Sequence, residues 1–365
     1  MKRCEGCGAV MQTADTGKPG YVPVEVYLAN PAQIYCERCF NLLHYNRKTE
    51  VEISEEDFFK HLKEIAESKA LVVNVLDIFD LEGTFQEELR RYFPNNPLLV
   101  VGNKFDLFLN SVRLLKVEAY LNHFLREHGI RPQGTMVISA KKHGDLQRLL
   151  DEILRLQDNR DVYLFGTTNV GKSSLINGLI ELLRIERQKL TVSSTIGTTL
   201  DLVKIPLPNG TYIIDTPGIP NHKQATYYLD HENLQLMIPK KYLKPRVYQL
   251  SPGQTLFIGG FGYLQYLNGS RSSFVVNIPS TLPVHRTKNE AAADFFAVHR
   301  DDILKIPNVE ERERLGELRE FRFSFGPQKQ DLAISGVGFI TMVGRGDISF
   351  YCYEKIKVST REAII

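Results

Sequence analysis

Residues 166–173 read Gly-Thr-Thr-Asn-Val-Gly-Lys-Ser, the spacing G-x-x-x-x-G-K-[ST], with an apolar run at 162–165 before it and a helix-like run at 172–183 after it. A strand, a glycine-rich turn and a helix in that order form a cradle for phosphate: backbone N–H groups converge on the anion and the helix N-terminus adds its dipole. Lys172 is then predicted to reach the β- and γ-phosphates and the Ser173 hydroxyl to ligate magnesium. Gly166, Asn169, Val170, Gly171 and Ser174 complete the predicted cradle. The bland alternative is a glycine-rich turn ahead of a helix. The motif alone implies a nucleoside triphosphate and leaves the base open.

Asp215-Thr216-Pro217-Gly218 follows a second apolar run, 212–214. An aspartate there can hold magnesium through water, and the Gly218 N–H can meet the γ-phosphate because glycine lets the backbone approach closely. All four residues also suit an ordinary turn. The base is addressed by Asn103-Lys104-Phe105-Asp106, directly after the apolar run 98–102. The Asp106 carboxylate can accept from guanine N1–H and its exocyclic amine, a donor pair that adenine lacks, and such mismatches are costly. Asn103 would fix ring and loop, and the Lys104 stem would cover one ring face. Ser139-Ala140-Lys141, after 136–138, would offer the Ala140 N–H to guanine O6. Together these elements predict GTP and GDP as the ligands.

Strand-like runs at 71–76, 98–102, 136–139, 162–165 and 212–214 alternate with amphipathic helices at 111–128, 144–156 and 172–183. That alternation predicts an α/β domain with a mostly parallel sheet and helices on both faces. A helix is also predicted from an N-cap at Ser54, with Asp57 complementing its start and Phe58, Phe59, Leu62, Ile65 and Ala66 on one face. Beyond Asp215 the pattern becomes β-rich, with runs at 246–250, 254–259, 262–267, 274–278, 318–325, 333–343 and 348–353 around one helix, 290–299. The expected division is a module at 1–50, a nucleotide domain at 51–220 and a β-rich domain at 221–365.

The first 50 residues are too small and polar to build a core, so something must staple them. Cys4-x-x-Cys7 and Cys36-x-x-Cys39 supply four thiolates with the spacing of a closed structural zinc site. Disulfides or inert thiols are the competing readings, and His44 is an alternative ligand. Cys352, in a strand-like run, reads as a buried apolar residue. The opening Met-Lys-Arg-Cys-Glu-Gly-Cys has no apolar stretch, so no secretory signal and a cytoplasmic location are expected. Apolar runs such as 98–101 fall far short of a membrane span, so no membrane partner is expected.

The base-specifying motifs precede the phosphate loop, whereas ordinary GTPases run the other way round. A parallel sheet tolerates such a permutation when the old termini lie close together. This order, behind a four-cysteine module and ahead of a β-rich domain, resembles the YqeH family of circularly permuted GTPases over nearly the whole chain. The resemblance implies GTP hydrolysis in small (30S) ribosomal subunit assembly, with the subunit or its precursor, through rRNA or ribosomal protein, as partner. It implies Thr199, within Thr195-Ile196-Gly197-Thr198-Thr199, as the switch threonine meeting magnesium and the γ-phosphate. Ile219 stands where Ras-like GTPases carry a water-positioning glutamine, so unaided hydrolysis should be slow. Relatives with this substitution imply potassium, bound partly through Asn169, whose other reading is a shaper of the loop.

The net charge is +2, so no global field marks a polyanionic partner; residues 221–365 carry 19 basic and 15 acidic side chains. In that region Arg246, Tyr248, Tyr263, Tyr266, Arg271, Phe274, Arg286, Arg319, Arg322 and Phe323 mix charge and rings. Such a mixture suits single-stranded RNA, or else the rings are core and the arginines a solvated face. The rival functional classes are a GTP-dependent metal chaperone and an RNA- or peptide-binding regulator in which GTP is structural.

Overall fold

The structure is a computed structural model that describes residues 10–15, 20–29, 36, 55–183, 191–194, 201–216, 218–239 and 241–365. The chain forms two compact units. One comprises Met1–Val75, Gln86–Asn103 and Leu125–Ile219; the other comprises Leu76–Phe85, Lys104–Phe124 and Pro220–Ile365.

The first unit is built on a seven-stranded sheet: β1 (Leu71–Asp77), β2 (Leu98–Asn103), β3 (Gly134–Val137), β4 (Val162–Phe165), β5 (Thr191–Ser194), β6 (Asp201–Pro206) and β7 (Tyr212–Asp215). Their order is β3-β2-β1-β4-β7-β6-β5. The strand that carries the phosphate loop, β4, therefore lies between β1 and β7, with Leu71 opposite Val162 and Leu164 opposite Asp215. All seven residues of β1 are buried, as expected for a strand covered on both faces. Leu71, Val73 and Val75 pack with Leu149 and Ile153 of the helix His143–Leu156 and with Leu175 and Leu179 of the helix Lys172–Leu182. Val72, on the opposite face, packs with Leu62 and Ile65 of the helix Glu55–Ser68 and with Phe93 and Phe165. Ser54, the expected cap of that helix, and the side chains of Asp57, Phe58 and Phe59 lie outside the described residues.

The β1–β4, β2–β3 and β4–β7 pairs are parallel. The other end of the sheet is mixed, because β6 pairs antiparallel with both β7 and β5. The sequence reading missed β5 and β6, whose Ser, Thr, Lys and Asp residues carry no continuous apolar run.

The second unit contains two five-stranded sheets with antiparallel pairing: β8 (Arg246–Leu250), β9 (Gln254–Ile258), β10 (Gly262–Gly269), β11 (Ser272–Asn277), β12 (Val284–Lys288), β13 (Leu318–Phe325), β14 (Gln330–Ile334), β15 (Gly338–Val343), β16 (Gly346–Tyr353) and β17 (Val358–Glu362). Their orders are β12-β9-β10-β16-β13 and β17-β14-β15-β11-β8. Leu256, Leu264 and Ile348 from the first sheet share one core with Phe274, Leu332 and Ile340 from the second. The expected single run at 333–343 is two strands, broken where Gly336 takes φ +78°. β12 and β17 escaped the sequence reading because, as edge strands, they bury no continuous face.

Several residues of the basic and aromatic mixture are core: Tyr263, Tyr266 and Phe274 are buried. Arg319 and Arg322 pair with Glu354 and Glu320 at 2.6 and 2.9 Å. Cys352 is buried in β16, and burial pushes its thiol well above the ordinary range. None of the helices among the described residues is long and apolar enough to cross a membrane.

Candidate nucleotide site

The phosphate loop leaves β4 through Gly166, at φ +152°, where any Cβ would run into the Val75 carbonyl of the neighbouring strand. It enters the helix Lys172–Leu182 through Gly171, at φ +93°, where a Cβ would collide with the Asn103 amide. Close approach of backbone to two neighbours thus fixes both glycines. Asn169, exposed, takes φ +63°, a conformation that asparagine tolerates better than most residues. Lys172 is buried, and its Nζ donates to the carbonyls of Gly166 at 2.8 Å and Thr167 at 3.2 Å. Ser173 and Ser174 occupy the first turn of the helix.

Asp215 ends β7, and Thr216 donates its N–H and its hydroxyl to the Leu164 carbonyl at 3.2 and 2.6 Å. A Cβ built on Gly218 would stand 3.1 Å from Lys172 Nζ and 3.2 Å from Thr168 Cγ2. The segment expected to face the γ-phosphate therefore lies against the loop lysine. Next, the Thr168 N–H donates to the Ile219 carbonyl at 3.0 Å and the Ile219 N–H donates to the Gly166 carbonyl at 3.3 Å. Ile219 offers no polar atom to a water; its backbone pairs with the loop and its side chain packs beside the Val72 cluster. Pro217 and Thr199 lie outside the described residues. A hydroxyl at Ser173 and a buried carboxylate at Asp215 are hard oxygen donors, the chemistry that suits magnesium.

Asn103 joins three motifs. Its Nδ2 donates to the Val170 carbonyl at 2.9 Å, and its Oδ1 accepts from the Ala140 N–H at 2.9 Å. The N–H expected to address guanine O6 thus bonds to the asparagine. The Ser139 N–H donates to Asp145 at 2.9 Å, and the Lys141 N–H donates to the Ser139 hydroxyl at 3.2 Å. Asp145, in the first turn of the helix His143–Leu156, was missed as a loop-positioning residue; an acid just inside a helix start was its signal.

Lys104 and Asp106 belong to the second unit. Lys104 takes φ +72° ahead of the short 3₁₀ turn Phe105–Leu107, and its Nζ sits 2.6 Å from Asp77. Asp106 lies half-buried within that turn.

Of the expected zinc ligands, Cys4, Cys7 and Cys39 lie outside the described residues, as does His44. Cys36 is buried against Met11, Val22 and Tyr27. No cluster of three or more metal-ligating side chains occurs among the described residues.

A family model described as 50S ribosome-binding GTPase matches residues 161–244. A model described as YqeH-like, C-terminal, matches 271–364. With the loop geometry, these matches define a P-loop GTPase, a GTP-hydrolysing enzyme, whose nucleotide motifs run in circularly permuted order. Over 363 residues the chain is 35% identical to "Uncharacterized protein YqeH" of Bacillus subtilis, covering 99% of both chains. The chain belongs to the YqeH family. It is also 25% identical over 387 residues to "NO-associated protein 1, chloroplastic/mitochondrial" of Arabidopsis thaliana, spanning 93% of this chain and 69% of that one. GNP-bound YlqF from T. maritima is 20% identical and overlays 46% of this chain and 61% of that chain, with a TM-score of 0.32.

Proposed function

We propose that this GTPase is a cytoplasmic switch in assembly of the small ribosomal subunit, engaging the subunit or its precursor through rRNA or ribosomal protein. The observation that carries the switch is the Gly218–Ile219 segment. Gly218 lies against Lys172, Ile219 is bonded to the phosphate loop, and Pro220, the next residue, begins the long C-terminal segment of the second unit. A movement of Gly218 that follows the γ-phosphate would pass along the chain without a long relay. The small-subunit assignment is supported by the family resemblance, and a ribosomal target also by the description of the model matching 161–244.

In hydrolysis, water oxygen forms a bond to the γ-phosphorus while the bond to the β–γ bridging oxygen breaks, giving GDP and phosphate. Lys172 and the N–H groups of the loop and Gly218 stabilise the charge that develops. Ser173, Thr199 and Asp215 would hold magnesium, which neutralises phosphate charge when bound. Lys104 and Asp106 would select guanine, and Asn103, which accepts the Ala140 N–H at 2.9 Å, would set the loop beside them. Asn169 would help hold potassium in place of the contribution Ile219 cannot make. Cys4, Cys7, Cys36 and Cys39 would hold a structural zinc in a module at 1–50, followed by domains at 51–220 and 221–365.

Co-sedimentation with purified small subunits tests the reading, comparing a non-hydrolysable GTP analogue, GDP and no nucleotide, with large subunits as control. Selective small-subunit binding with the analogue is expected. Equal binding in every nucleotide state, or preference for large subunits, overturns it.

A further inference from the structure

Asp77, the last residue of β1, is buried, and its two carboxylate oxygens have different partners. Oδ1 accepts the Phe79 N–H at 2.9 Å, a local turn two residues along the chain. Oδ2 meets Lys104 Nζ at 2.6 Å, 27 residues away in the chain, with the Asp77 and Lys104 side chains 11% and 28% exposed. The backbone N–H of Asp77 donates to the Thr84 hydroxyl at 3.1 Å, and that hydroxyl donates to the Asp80 carbonyl at 2.8 Å. The carboxylate therefore stands on an internally bonded loop, and both members of the ion pair belong to the second unit.

Lys104 needs such an anchor. A lysine stem is four carbons with free rotation, so its ammonium has no direction of its own. The backbone around it is already set. Lys104 takes φ +72°, a conformation uncommon for a residue with a long side chain. The 3₁₀ turn that follows is held at its end, where the Leu243 N–H donates to the Leu107 carbonyl at 2.9 Å. Only the ammonium is left to place, and a buried carboxylate at charge-assisted distance places it. Asparagine or serine would serve the local turn to Phe79 equally well. The second oxygen, spent on Lys104, is what requires an aspartate.

We propose that Asp77 is a positioning residue for guanine recognition, holding the Lys104 side chain in place before the nucleotide arrives. The rotamer freedom of the lysine is then given up on folding and not on binding, which raises affinity without a new contact to the ligand. The inference rests on the proposed part of Lys104 in base selection and adds the residue that presents it.

Asp77→Asn keeps an acceptor for the Phe79 N–H and removes the charge, and Asp77→Ser does the same with a shorter side chain and serves as the second variant. Fluorescent-GDP titration of the full chain compares wild type, each Asp77 variant, Lys104→Ala and the corresponding double variants, with melting curves to show that each is folded. Lys104→Ala should weaken GDP binding at least about tenfold and Asp77→Asn at least about fivefold. In the Lys104→Ala background, Asp77→Asn should change affinity by less than about twofold, because the group it acts through is gone. For Asp77→Asn alone, KM for GTP should rise by a factor similar to the loss of GDP affinity, with kcat within about twofold of wild type. Wild-type GDP affinity in both Asp77→Asn and Asp77→Ser overturns the proposal and leaves the part of Lys104 standing. An equal loss with and without Lys104 also overturns it, making Asp77 a support of the fold. If Lys104→Ala itself binds GDP as wild type does, the base-selecting part of Lys104 falls and the proposal falls with it.

Discussion

Asn103 Nδ2 donates to the Val170 carbonyl at 2.9 Å, so the residue that opens the Asn-Lys-Phe-Asp motif also holds the phosphate loop. Asn103 is 1% exposed, and its other amide atom accepts from the Ala140 N–H. Asn103→Asp preserves the size and the acceptor but sets a carboxylate oxygen against the Val170 carbonyl. A lost hydrogen bond and a buried, unsatisfied acceptor cost about 1–3 kcal/mol. The variant should melt several degrees lower and bind GDP at least about tenfold more weakly. Calorimetry and fluorescent-nucleotide titration check both; unchanged GDP affinity would show that the asparagine holds the loop without shaping the nucleotide site.

Gly218 should separate hydrolysis from binding. A methyl there meets Lys172 Nζ at 3.1 Å and Thr168 Cγ2 at 3.2 Å, so the lysine or the segment must shift. Gly218→Ala is expected to lower kcat for GTP at least about tenfold, equivalent to about 1.4 kcal/mol of barrier. GDP, which has no γ-phosphate, should bind within about threefold of wild type. Exchanging sodium for potassium should raise wild-type turnover; a flat response removes Asn169 as a potassium ligand. Equal losses for GTP turnover and GDP affinity in Gly218→Ala would place the glycine in loop folding instead.

The phosphate loop was legible because a short motif specifies it locally: Gly166 and Gly171 by backbone geometry, and Lys172 by a side chain that folds back onto the loop. Contacts distant in sequence were not. Nothing in the string shows that Asn103 bonds Val170, 67 residues away in the chain, or that Ile219 bonds back to Gly166. Tyr263, Tyr266 and Phe274 looked equally fit for core or surface, since an aromatic in an alternating strand carries no label for its face until the sheets are packed. β5 and β6 were missed for a related reason: the antiparallel end of the sheet, β6 with β5 at its edge, needs no continuous apolar run.

The cysteine module yields a stoichiometric prediction. Cys36 is buried, and four thiolates in the pairs Cys4/Cys7 and Cys36/Cys39 would close a tetrahedral site. Purified full-length protein should carry about one zinc per chain by elemental analysis. Cys36→Ser should lose most of it, while Cys352→Ser, which alters a thiol buried in β16, should retain it. Metal-free wild type with four reducible thiols would eliminate the zinc site.

Asp80 makes the stability of the second unit pH-dependent. Burial first, and then the charge of Asp77, push its carboxyl up to about 6, against hydrogen bonds from Gln224 and Gly336 that favour the charged form. Its Oδ2 accepts from Gln224 Nε2 at 2.7 Å, from the Gly336 N–H at 2.8 Å and from the Ser335 hydroxyl at 3.1 Å. A carboxyl raised on folding binds its proton more tightly in the folded state. Its contribution is therefore greatest below the unfolded value near 3.8, falls as pH climbs to about 6, and is level above that. Asp80→Asn cannot titrate, yet its carbonyl can keep all three donors. Between pH 4 and 7 wild type should lose about 3 kcal/mol relative to that variant. Asp80→Ala strands the donors and should be destabilised by about 2–4 kcal/mol at every pH below neutrality. Urea denaturation at pH 4, 5, 6 and 7 measures these differences; parallel pH profiles for wild type and Asp80→Asn would mean that the carboxyl titrates alike folded and unfolded.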